Sequence, residues 1–275
     1  MNILTDLRDA PHKVKTYDVL SPKSGSKYRV VIERSPRRVR VAFNGQTVAD
    51  SIAMRIMHET RHLPVYYFPE GDVRMDLLEK SDHTSHCVHK GDASYMSVRV
   101  GDRFAENAMW YYENPISSVP DLKGLVAFYW SKMDHWYEED EEIFVHLRDP
   151  YKRIDTTPSS RHVRVKLGGE IVADTKRAIF LFETGLPTRY YIPRQDVRAD
   201  MLVESDQTTR CPYKGIAHYY SVKVADKLFK NIVWTYPVPV PECPKIKDLL
   251  CFFNEKVDAI TVDGVEIPKQ KTNWS

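Results

Sequence analysis

The sequence predicts an all-β protein made of two similar small β-barrel or sandwich domains. Three observations carry that expectation. The 275-residue chain repeats itself: Arg37–Asp134 aligns with Arg161–Asp258 at a constant offset of 124, without a gap, with 40 identities in 98 positions. An ungapped match of that length marks tandem copies of one folded unit, because loops readily gain or lose residues. Short runs alternate apolar and polar residues between turn dipeptides, which is the pattern of half-buried strands. Helical periodicity is scarce. The boundaries that follow are a leader (1–36), a first domain (37–148), a linker (149–160), a second domain (161–267) and a flexible tail (268–275).

Within the leader, Lys27-Tyr28-Arg29-Val30-Val31-Ile32 reads as one added strand. Each domain opens with a hairpin: Val39–Phe43 runs into Asn44-Gly45, and Val163–Leu167 into Gly168-Gly169. Both dipeptides suit a two-residue turn. Further strands are predicted at 54–59, 64–68, 95–100, 104–112 and 125–130, with equivalents 124 residues later. Val98–Arg103 is a second hairpin signal. Ser117–Lys123 and Cys243–Leu250 are short helix candidates that begin near a proline. The acidic run Glu138–Glu142 reads as a solvated tether, since like charges repel and stay in water.

Composition narrows the function. A net charge of +2 gives no reason to expect nucleic acid. No apolar run approaches the roughly 20 residues that a membrane helix needs. The first residues carry no basic segment followed by an apolar stretch, so secretion is not expected and a cytoplasmic setting is. Of the four cysteines, Cys87 and Cys211 are repeat equivalents, expected at matching places in separate domains; this is no disulfide framework. No dinucleotide fingerprint, haem motif, serine-hydrolase elbow or phosphate-cradling loop appears, so no cofactor is expected.

The shared residues are mostly polar or aromatic, which points to a site in two versions. Two strings recur, here in their second-copy form: Glu183-Thr184-Gly185-Leu186-Pro187-Thr188-Arg189-Tyr190-Tyr191-Ile192-Pro193-Arg194-Gln195-Asp196-Val197, and Thr208-Thr209-Arg210-Cys211-Pro212-Tyr213-Lys214-Gly215. With Ala173-Asp174-Thr175 before them and Trp234-Thr235-Tyr236-Pro237 after, they resemble domain of unknown function 427, a family with a provisional nucleotidyltransferase-like label. The resemblance covers nearly the whole chain as two copies. It implies a small β-rich domain with a polar pocket, and it brings no settled activity. The first copy departs from the pattern: Glu70 stands for Arg194, Ser85 for Thr209, His86 for Arg210, Val88 for Pro212 and His89 for Tyr213. It has exchanged cationic and phenolic groups for a carboxylate and imidazoles, which move protons near neutral pH. The first copy is therefore expected to have specialised.

The candidate catalytic residues are Glu59, His89 and Lys90, with Glu183 and Lys214 in the second copy. Glu59 and Glu183 sit where alternating strands would otherwise continue inward. Such a carboxylate is either a general acid/base or a fixed hydrogen-bond acceptor. Lys90 and Lys214 hold an anionic oxygen, pair with Glu59/Glu183 or Asp72/Asp196, or, if desolvated, form a Schiff base; the first two are favoured. The candidate binding residues are Tyr66, Tyr67, Asp72, His86, Cys87 and Tyr95, and Tyr191, Arg194, Asp196, Cys211, Tyr213 and Tyr219. Cys87 and Cys211 read either as nucleophiles activated by the nearby lysines or as small buried hydrophobes. His83, His86, Cys87 and His89 have no common zinc spacing, and the second copy lacks the imidazoles, so no metal site is expected; either the histidines share one exposed loop or one of them works alone in a pocket. Tyrosines are expected to line a pocket for a flat ligand, and Trp110 with Trp234 to serve the cores.

Three functions remain. The first is a cofactor-independent enzyme performing isomerisation, dehydration, cyclisation or hydrolysis on an organic small molecule, such as an aromatic or polycyclic metabolite. The second is a binding protein with twin pockets. The third is a structural pair. The expected partner is a small molecule, with no nucleic acid and no membrane; the oligomeric state stays open.

Overall fold

The computed structural model describes residues 14–20 and 27–270, and within them every regular element is a strand or a single 3₁₀ turn. The chain divides into two compact units between Asp149 and Pro150. The first unit holds β1 (Val14–Leu20), β2 (Lys27–Arg34), β3 (Val39–Phe43), β4 (Gln46–Ser51), β5 (Arg55–Glu59), β6 (Val65–Pro69), β7 (Leu78–Cys87), β8 (Gly91–Val100), β9 (Arg103–Tyr111), β10 (Leu125–Phe128), β11 (His135–Glu138) and β12 (Glu141–Ile143). They form an antiparallel sheet of order β1-β2-β5-β6-β10-β9-β8-β7 and a smaller one of order β12-β11-β3-β4.

The second unit holds β13 (Ile154–Pro158), β14 (Val163–Leu167), β15 (Glu170–Thr175), β16 (Ile179–Glu183), β17 (Arg189–Ile192), β18 (Leu202–Cys211), β19 (Gly215–Val224), β20 (Lys227–Thr235), β21 (Leu250–Phe252), β22 (Ala259–Val262) and β23 (Val265–Glu266). Its sheets have the orders β13-β16-β17-β21-β20-β19-β18 and β15-β14-β22-β23. Neither unit closes into a barrel, so each is the sandwich form of the expected fold.

Each unit has two cores, one on either face of its large sheet. Side chains alternate along a strand, so adjacent residues enter different cores. Tyr66 packs with Val39, Val41 and Trp136 between the two sheets, whereas Tyr67 packs on the opposite face with Tyr95, Tyr112, Val119 and Leu122. The second unit repeats this with Tyr190 and Tyr191. The outer face of the large sheet, roofed by the segment after β9 or β20, carries Tyr67, Cys87 and Tyr95 in the first unit and Tyr191, Cys211 and Tyr219 in the second.

The opening hairpins turn as expected, with Asn44 and Gly45 at φ 46° and 74° and Gly168 and Gly169 at 61° and 88°. Several expectations are corrected. The helix candidates are single 3₁₀ turns, Pro120–Leu122 and Pro244–Ile246. The presumed linker contains β13, which pairs with β16 as β2 pairs with β5. The presumed acidic tether is partly the hairpin β11–β12. There Glu138 is buried, accepts a 2.7 Å hydrogen bond from Tyr66 Oη and pairs with Arg37. β1 adds an unforeseen strand to the leader, beside the expected one, β2; residues 1–13 and 21–26 of the leader and 271–275 of the tail lie outside the described residues.

Candidate functional site

The site begins at a hairpin. In β7–β8, Cys87 pairs with Gly91, which leaves Val88, His89 and Lys90 as a three-residue loop. Gly91 has φ +103°, a conformation that L side chains rarely adopt, so glycine must follow the lysine. The loop is pinned from above, where Ile116 N–H donates to Lys90 O at 3.0 Å. Lys90 is thereby folded back over the sheet, and its ammonium donates to Glu59 Oε2 at 2.6 Å. The two side chains are 11% and 6% exposed, so the ion pair is essentially dry. Tyr28, from β2, donates to the other carboxylate oxygen at 2.7 Å.

His89 does not touch the carboxylate through any described contact. Its ring lies flat on Tyr28, with centroids 3.7 Å apart and planes 6° from parallel. Its Nδ1 is buried without a hydrogen-bond partner. The imidazole thus braces the phenol that binds Glu59.

Beside the ion pair is a cleft of about 500 Å³. Tyr67, Tyr95, Trp110, Tyr112 and Tyr129 form aromatic walls, Met57, Leu63 and Val65 add apolar surface, and Arg61 and His62 join Glu59 and Lys90 as polar groups. Trp110 Nε1 donates to Tyr67 Oη at 3.2 Å, and Tyr95 Oη is 2.8 Å from Ser85 Oγ. Burial, followed by the hydrogen bond to Tyr95, pushes the Tyr129 phenol up to about 12. Burial likewise raises Tyr28, Tyr67 and Tyr112, so these phenols stay protonated at neutral pH. Arg61 holds a left-handed φ of 67° where its counterpart Gly185 has 75°.

The second copy keeps the frame and changes the charges. Gly215 has φ +107°, and Lys214 donates to Glu183 Oε2 at 2.5 Å. Lys152 stands where the first copy has Tyr28, 2.9 Å from Glu183 Oε1 and over the ring of Tyr213. Burial works against the Glu183 charge, but the two ammoniums outweigh it and hold the carboxyl below its usual range. One copy surrounds its glutamate with an amine and a phenol, the other with two amines.

The remaining candidates separate into two groups. Cys87 packs against the same core as Tyr67 and Tyr95, and Cys211 against the matching core with Tyr191 and Tyr219. Tyr66 faces the inter-sheet core. Asp72 accepts from Ser51, and Asp196 from Thr175 and Arg177. His86 is exposed and paired with Asp92, and Arg194 lies over Tyr220. Tyr66, Asp72 and His86 do not line the first-copy cleft. The dense histidine run is split: His83 and His86 lie on strand β7, and only His89 lies on the three-residue loop after it. Its rings go to Tyr95, Asp92 and Tyr28, and among the described residues no group of His, Cys, Asp and Glu is arranged to hold a metal.

Sequence reasoning missed Tyr28 and Lys152, although the offset of 124 relates them; the alignment began only at Arg37. Trp110 lines the cleft instead of only filling a core. The family comparison now fits the geometry. The model of domain of unknown function 427 (DUF427) matches residues 31–139 and again 155–263. The chain belongs to the DUF427 family. Both matches include the glutamate, the lysine and the hairpin glycine, so the ion pair lies within each DUF427 copy. No curated protein matches the chain.

Proposed function

We propose that the first DUF427 copy takes an organic small molecule with a flat, aromatic or polycyclic body and acts on it by proton transfer, without a redox cofactor. One observation carries this reading: a dry Glu59–Lys90 pair closes the polar end of a cleft otherwise walled by aromatic rings. Such walls bind flat apolar bodies through area and ring geometry, and a few fixed polar groups orient them. Lys90 has ammonium protons beyond the one given to Glu59, and these meet a substrate oxygen as charge develops on it. Glu59 removes the neighbouring proton. Tyr28 holds the carboxylate in place, and His89 holds Tyr28. Isomerisation, dehydration, cyclisation and hydrolysis all share this step. The four free cysteines support a reducing, cytoplasmic setting.

A second reading has its own observation. Both Glu59 oxygens already accept a donor, which suits the fixed polar floor of a non-catalytic binding protein. Deuterium uptake at the α-carbon of 2-tetralone in D₂O, followed by NMR, separates the two. The enzyme reading expects uptake to be accelerated by the wild type and to fall by about 10²-fold in Glu59→Gln, as for loss of a general base. Uptake equal in both, with 2-naphthol still bound, moves the assignment to the binding protein.

A further inference from the structure

The second copy keeps most of the aromatic frame of the first, but several lining positions change in kind: Arg61 becomes Gly185, His62 becomes Leu186 and Val65 becomes Arg189. Val65 lines the first cleft, and the residue 124 positions later is Arg189; Ser131 likewise becomes Glu255. The two replacements bind each other. Arg189 Nη1 and Nη2 donate to the two Glu255 carboxylate oxygens at 2.8 and 2.7 Å. Their side chains are only 11% and 2% exposed. The guanidinium carbon lies 5.6 Å from the Trp234 ring centroid, and Arg189 also feels Tyr191. Tyr191 and Trp234 are the counterparts of Tyr67 and Trp110, two walls of the first cleft.

We propose that the Arg189–Glu255 pair is a built-in plug. It occupies the ligand space of the second copy, so that each chain takes one flat small molecule, in the first copy, and the residue at the Val65 position decides whether a DUF427 cleft is open. A guanidinium is flat, delocalised and weakly hydrated, so it takes the place of a ligand ring against the indole. A ligand could displace it only by leaving a buried charge without its partner, which is strongly unfavourable. The second copy therefore retains its Glu183–Lys214 pair as a fixture of the hairpin, without a ligand beside it. The stoichiometry claim rests on the ligand reading of the first cleft; the closure itself does not.

The test uses the full chain labelled with 5-fluorotryptophan, two double variants and 2-naphthol as the probe. The ¹⁹F solvent isotope shift between H₂O and D₂O reports water at each indole, with resonances assigned by single Trp→Phe changes. Trp110 is expected to shift and Trp234 not; in Arg189→Val with Glu255→Ser, Trp234 gains the shift. Calorimetric titration is expected to give one 2-naphthol per chain in the wild type, two in that variant, and none in Val65→Arg with Ser131→Glu. Two molecules bound by the wild type, or a Trp234 that already shifts, overturns the plug. Should the wild type bind no 2-naphthol, the proposed function fails, while the Trp234 isotope shift still decides the closure. Should the Arg189→Val, Glu255→Ser variant fail to fold, the wild-type shift and the Val65 variant decide.

Discussion

Glu59 and Lys90 are a pair whose members need each other. Taking both charges out of water is tolerable only while they remain joined. Lys90→Ala leaves a carboxylate under the roof with Tyr28 as its only described donor. The expected loss is about 3 kcal/mol of stability, read from urea denaturation midpoints. The second copy makes a statement about pH. Glu183 has a folded-state pKa below its unfolded value, so it adds stability above the unfolded value, and this is lost as pH falls through the folded one. Wild-type stability should therefore decline from about pH 5 downward, where free carboxylates begin to protonate. Glu183→Gln should decline less over that range when midpoints are compared at stepped pH. A steeper decline in the variant contradicts the assignment.

At the scale of the element, the β7–β8 and β18–β19 hairpins deliver the lysines, and each depends on one glycine. A Cβ on Gly91 meets Asn114 O at 3.4 Å, whereas one on Gly215 meets Val238 O at 2.9 Å. Both substitutions strain the backbone, and only the second also forces a backbone oxygen aside. Gly215→Ala should therefore destabilise more than Gly91→Ala, by roughly 1 to 3 kcal/mol for the strain alone in each case. Melting temperatures of the two variants check the order. These hairpins also show why part of the site was hard to read. β7 and β18 are edge strands with mostly exposed side chains and a bulge, so Leu78–Cys87 lacks the alternation that marks a half-buried strand. His83, His86 and His89 look like a cluster in sequence. A strand sends neighbours to opposite faces, and their rings reach three different partners.

At the scale of the whole molecule, each unit carries a complete pair of cores drawn from its own residues. Residues 1–149 and 150–275, expressed separately, should each fold and unfold cooperatively. Circular dichroism during denaturation tests this; a half that shows no cooperative transition contradicts it. The two units share a plan and differ in the residues around it, which is how one copy can keep an open cleft while the other fills the equivalent space.

The sequence by itself determined the duplication, the β class, the tight turns at Asn44-Gly45 and Gly168-Gly169, and the recurrence of Glu59 with Lys90 and of Glu183 with Lys214. These are properties of periodicity, local backbone preference and identity at a fixed offset. Only the tertiary structure decided that Tyr66 and Tyr67 serve different cores, that Tyr28 and Lys152 complete the two carboxylate sites, and that Arg189 lies against Trp234. Those facts depend on which strands lie side by side and on which face each side chain leaves, and neither is written in any single stretch of chain.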